Sequence, residues 1–101
     1  MLRSEDEVDV QEALVRLTFH SVDREWIESE CIRLLDDPAI SVGTKQLAIT
    51  CIGHLARIHR TLNIETVIPV LMKVATNSAL AGYVDNALDD IELFVTDETQ
   101  N

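Results

Sequence analysis

Cys51 and His54 stand one helical turn apart, with His59 five residues further on. A thiol beside an imidazole is the pairing that both nucleophilic catalysis and metal binding use. Catalysis needs the thiol ionised and open beside its base, and a structural zinc needs four converging ligands. This spacing supplies neither. On a helical wheel Cys51 falls in the apolar arc of Leu47, Ala48, Ile52, Leu55 and Ile58, whereas His54 lies with Thr50 and Arg57 on the polar side. No catalytic residue, metal ligand or cofactor is therefore assigned, and a small enzyme built on Cys51 and His54 remains the lesser alternative. His59 projects toward the apolar arc near the end of its helix, and His20 ends another. In both places a histidine can cover the core edge and bond the last free carbonyls.

A second pattern concerns charge. Asp85, Asp89 and Glu92 are spaced i, i+4 and i+7, which sets three carboxylates on one helical ridge beside Val84, Leu88 and Ile91, with Asp90 elsewhere on the helix. Like charges one turn apart repel by a few tenths of a kcal/mol, roughly, and a partner's lysine or arginine would relieve this. A solvated helix face has the same pattern, so the ridge is a candidate rather than an assignment. Trp26, the one tryptophan, aligns with Glu30 and Arg33 rather than with Ile27 and Leu34. It either folds over the core edge or anchors an interface, in which case Glu28 and Glu30 would border it.

The whole chain repeats this imbalance. Its 101 residues carry 18 acids against eight lysines and arginines, a formal charge of −10, which repels nucleic acid and anionic lipid and favours capture of a basic protein. Residues 1–37 and 85–101 have net charges of −7 and −6, while 38–84 have +3. Cys31 and Cys51 lie in apolar stripes without a CxxC spacing, and no signal core opens the chain, so a reducing cytoplasmic setting is expected. The longest apolar region, 47–58, is interrupted by Thr50, His54 and Arg57, which argues against a membrane span.

Helices must position these groups. Apolar residues make up 47% of the chain, only four are aromatic, and no segment alternates as a strand does. Ser4 with Glu7 forms a capping-box pattern that starts a helix over about 5–19, carrying Val10, Ala13, Leu14 and Leu17. Asp23 caps a second helix that stops at Asp36-Asp37-Pro38, and Ser41 starts a third over about 42–60. Asn63 caps a fourth over about 64–76, in which Pro69 should produce a kink or a later start. Asn77 and Ser78 break the chain before a fifth helix at about 79–95, and 96–101 form a frayed tail. Gly53, on the polar face of the third helix with Gln46, Thr50, His54, Arg57 and Arg60, leaves a bare spot where another backbone can approach.

The helices also repeat. Cys31, Ile32, Leu35, Ala48, Ile49, Ile52 and Leu55 recur 39 residues on as Val70, Leu71, Val74, Ala87, Leu88, Ile91 and Phe94. Helix pairs that cannot bury their apolar faces alone stack on one another. The run Leu34-Leu35-Asp36-Asp37-Pro38, followed by Ile40, Val42, Ala48 and Ile52, resembles the helix-turn-helix unit of HEAT repeats, and Pro69 within Val67–Leu71 resembles the proline of their first helix. Gly43 and the turn Thr76-Asn77-Ser78 depart from that pattern. The resemblance implies one all-α domain, a short HEAT/armadillo-like right-handed solenoid of about five helices: an unpaired helix at 5–19, one pair at 24–60 and a second at 64–95.

Size, acidity and the phrase from Cys51 through His59 also resemble the immunity proteins of bacterial contact-dependent toxin systems. That resemblance implies a non-enzymatic protein-binding module. It would neutralise a basic, nuclease-type toxin domain by covering its active site, with Asp85, Asp89, Glu92, Trp26, Glu28 and Glu30 as the partner-binding residues. A general HEAT-like adaptor or scaffold is the other reading.

Overall fold

A computed structural model describes residues 7–20 and 23–95. It contains five helices, α1 (Glu7–His20), α2 (Arg24–Asp36), α3 (Val42–His59), α4 (Ile64–Val74) and α5 (Ser78–Phe94), and no strand among the described residues. The fold class is thus all-α, as the periodicity predicts. Among the described residues no helix is long and apolar enough to cross a membrane. Ser4 of the expected capping box and the tail 96–101 lie outside the described residues.

Local chemistry accounts for most of the boundaries. The Asp23 carboxylate accepts from the Trp26 amide at 3.0 Å, the Ser41 hydroxyl from Thr44 at 3.3 Å and the Asn77 side chain from Ala79 at 2.9 Å, each satisfying an amide that its helix cannot. Pro38 forces Asp37 into an extended conformation, and the Asp37 side chain turns the chain by accepting from the Ala39 amide at 2.9 Å. Arg60 closes α3 in the left-handed region (φ 59°), donating its amide to Ala56 at 2.9 Å.

Two expectations change at α4. Its N-terminal residue Asn63 makes no side-chain cap; instead the Asn63 amide donates to the Glu28 carboxylate at 3.1 Å, while its carbonyl accepts from Thr66 and Val67. The helix starts at Ile64 rather than later and continues through Pro69, which is exposed.

Packing centres on α3. It touches α1, α2 and α5, while α2 also meets α1 and α4, and α4 meets α5. Ala48, Ile49, Cys51, Ile52, Gly53, Leu55 and Ala56 are all buried, so α3 is covered over most of its circumference. Its neighbours complete one core through Leu14, Ile27, Leu34, Val67, Leu71, Leu80 and Val84. The molecule measures 44 × 30 × 17 Å, and its shortest dimension suits two layers of helices about 10 Å across.

Caps and several buried positions of the two helix pairs align at offsets other than 39 residues. The cap positions Asp23 and Asn63 stand 40 residues apart, and burial matches at that offset: Ile27 with Val67 and Cys31 with Leu71. In the second helix of each pair the caps Ser41 and Asn77 stand 36 apart. Burial follows there too, pairing Thr44 with Leu80, Ala48 with Val84, Cys51 with Ala87 and Leu55 with Ile91. A shorter α4 and a tighter α4–α5 turn remove four residues, close to one helical turn, so the apolar stripe keeps its phase.

Leu55 is wholly buried, whereas Leu88 lies at the core edge. Leu55→Ala should cost about 2–5 kcal/mol in urea denaturation, and Leu88→Ala clearly less. Equal losses would mean that α5 turns a different face to α3 from the one described.

Candidate functional site

The surface with the most functional chemistry is the face where α1, α3 and α5 lie side by side. Gly53 sets its geometry. A methyl group there would stand 2.7 Å from Asp90 Oδ2 and 3.7 Å from the Ala87 Cα, so the approaching backbone expected from the sequence is that of α5 in the same chain. Two further ties hold the helices together: Gln46 Nε2 donates to the Ala79 carbonyl at 3.1 Å, and Arg57 Nε donates to Asp90 Oδ1 at 3.2 Å. The guanidinium carbons of Arg57 and Arg60 lie 5.9 and 5.4 Å from the centre of the Phe94 ring.

Between the helices runs a cleft of about 390 Å³, floored by Gly53 and Ala87 and edged by Thr50, His54, Tyr83, Asn86 and Asp89. Beyond it the His54 ring meets Phe19 of α1 at 5.0 Å between centres. Phe19 and Tyr83 expose 50% and 41% of their surface, flanking a polar cleft with two aromatic rings. Neither ring was singled out from the sequence, because each is an isolated aromatic whose exposure depends on which neighbours pack beside its helix.

The acidic ridge is present as expected. Asp85, Asp89 and Glu92 are exposed, and no ion pair engages them among the described residues. Only Asp89 reaches the cleft, while Asp85 borders a shallow depression beside Gly82 and Tyr83. Asp90, set apart from the ridge by its helical angle, faces Arg57.

On α2 the structure places the expected residues differently. Glu28 and Glu30 are buried, Glu28 paired with Arg24 and Glu30 with Arg33 Nη2 at 2.9 Å. Through Asn63 the Glu28 carboxylate also joins α2 to the start of α4. Both carboxylates are paired within the fold instead of presenting free charge, and Glu28 ties α2 to α4. Their arginine partners, at i−4 from Glu28 and i+3 from Glu30, are visible in the sequence, and that spacing is the signal that separates them from the α5 ridge. Trp26 is half-buried against the core, the edge-covering arrangement. It does not join Asp85, Asp89 and Glu92 in one surface, since α3 and α4 stand between α2 and α5.

Cys51 and His54 diverge as the wheel predicts. Cys51 is buried toward α1, and burial pushes its thiol pKa up, an effect partly offset by the hydrogen bond with Thr18. Cys31 is raised well above the usual range, chiefly by burial, with Cys51, Glu28 and Glu30 adding to the effect. Both thiols are therefore protonated and closed to solvent at neutral pH. His59 is partly buried, and its Nε2 is buried with no hydrogen-bond partner among the described residues, so the expected carbonyl bond is not made through that atom. His20 is exposed at the end of α1. No group of three or more metal-ligating side chains converges among the described residues.

No family model, curated protein or solved structure shows a significant match to this chain.

The two thiols give a signed pH dependence. Their folded pKa values are raised, so above the ordinary cysteine range of about 8.5 the unfolded chain holds fewer protons than the folded one, and stability should fall with pH at up to about 1.4 kcal/mol per unit for each thiol. Cys31→Ala/Cys51→Ala should flatten that part of the pH profile. Alkylation of the folded protein at pH 8 should run roughly tenfold or more slower than in urea. Rapid labelling of Cys51 in the folded chain would revive it as a nucleophile.

Proposed function

We propose that this chain is a protein-binding module, a short right-handed solenoid of the HEAT/armadillo type whose α5 face captures a basic partner. The solenoid reading is supported by the order of packing. Each hairpin helix meets its own partner and the corresponding helix of the other pair, α2 with α4 and α3 with α5, while α1 covers the free side of α3.

One observation carries the functional reading. Glu28, Glu30 and Asp90 are each matched by an arginine, yet the three ridge carboxylates stand exposed with no cation against them among the described residues. Charge that the fold does not use is available to steer and hold a positive surface. With a formal charge of −10, the chain suits a basic protein as partner. The nuclease-type toxin domain implied by the resemblance to immunity proteins is the partner we favour, with its phosphate-binding cleft covered by the ridge. The adaptor reading is favoured by a separate observation: Val15 and Phe19 of α1 form an exposed apolar surface beside Leu47 of α3, which a scaffold joining two proteins would use.

The ridge is tested by Asp85→Asn/Asp89→Asn/Glu92→Gln against a basic protein retained by the chain from its host and identified by mass spectrometry. The triple variant should keep its helical circular dichroism, bind roughly tenfold or more weakly, and lose most of the salt dependence of the wild-type complex, since exposed charges are screened over about 8 Å at physiological ionic strength. Protection of cells expressing the retained protein should fall in parallel. Unchanged affinity and salt slope would remove α5 from the interface.

A further inference from the structure

We propose that the cleft between α3 and α5 is an arginine subsite, receiving the guanidinium of one arginine on the basic partner; this rests on the reading of α5 as the binding face. The donor and acceptor pattern is the first argument. Thr50 gives its hydroxyl proton to the Gln46 carbonyl at 3.0 Å, so toward the cleft it offers only lone pairs. Asp89 is likewise an acceptor, and the Asn86 amide can present its oxygen. His54, Tyr83 and Asn86 can each accept as well as donate, so every polar group of this rim but Arg57 can serve a ligand that only donates. Arginine, lysine and tryptophan only donate, and the Asp89 carboxylate favours the two cations among them.

Shape and stacking separate the two. Gly53 leaves the floor open, and the half-exposed Tyr83 ring stands at the edge, so a planar group can lie on the ring while its N–H bonds reach Asp89 and Thr50. An ammonium has no plane to stack and forms no fork. The chain already binds guanidinium in this way. Arg57 sits between a carboxylate and a ring, Asp90 at 3.2 Å and Phe94 at 5.9 Å, and Tyr83 with Asp89 repeats the acid-and-ring combination further along the same helix. Arg57, the one arginine of the lining, is held by that pairing, and the lining retains the Asp89 charge.

The test uses two probes of equal charge, acetylated hexa-arginine and hexa-lysine amides, titrated into the isotopically labelled full chain at low salt and followed by amide chemical shifts. Hexa-arginine should bind about tenfold tighter, with shifts centred on Thr50, Gly53, Asn86 and Asp89. Asn86→Phe, which fills the cleft without changing charge, should abolish that preference. Thr50→Val, which removes the lone pairs while keeping the shape, should do the same and guards against misfolding of the first variant. Asp85→Asn/Glu92→Gln should weaken both peptides alike and leave the preference intact. Equal affinities with shifts confined to Asp85, Asp89 and Glu92 would overturn the subsite and spare the acidic-face reading. A preference surviving both cleft variants would also overturn it. Absence of binding by either peptide would sink both readings.

Discussion

Contact with α5 gives α3 a third covering helix beyond α1 and α2, and at Gly53 the Asp90 side chain crosses the seam, its Oδ2 2.7 Å from where a β-carbon would stand. Three-sided coverage is what buries Ile49, Ile52 and Leu55 completely in a chain of 101 residues, where surface normally dominates volume. It also fixes the outer surface. The same approach leaves a cleft above the glycine, sets Asp90 against Arg57, brings Asp89 to the cleft, and leaves Asp85 and Glu92 exposed to solvent. Core and candidate site thus follow from one close approach.

Much of the fold is legible in the sequence because its signals are local. Asp23, Ser41 and Asn77 mark helix starts through bonds to amides two or three residues away, and Pro38 acts on the residue before it. A distant contact is not legible in this way: Asn63 stands at the N-cap as its type suggests but makes no side-chain cap bond, and its backbone amide donates to Glu28, 35 residues earlier. The repeat register misleads for another reason. Offsets of 36 and 39 differ by nearly one turn and so select the same face in α5, while in α4 an offset of 39 instead of 40 pairs buried Cys31 with partly buried Val70.

The site divides along the same line. Asp85, Asp89 and Glu92 share one helix, so their spacing alone puts them on a ridge. The cleft needs Thr50 and Gly53 from one helix with Tyr83 and Asn86 from another, and nothing within either segment announces the pairing. Glu28 and Glu30 show the opposite error. Acidic residues next to a tryptophan look like an interface, yet the arginines one turn away neutralise them inside the fold.

The packing order also bears on how the chain folds. Each helix meets its immediate neighbour or the next but one, and bonds between alternate helices span 33–35 residues, so no principal contact has to join the two ends of the chain. Helical domains of that kind fold on microsecond to millisecond timescales, roughly, without waiting for the two ends to find each other. As α3 joins three of its neighbours, a nucleus containing it can grow toward either terminus. The same economy makes α3 a point of vulnerability: a lesion there removes the surface on which α1, α2 and α5 condense, whereas one in α1 leaves the later pair able to assemble.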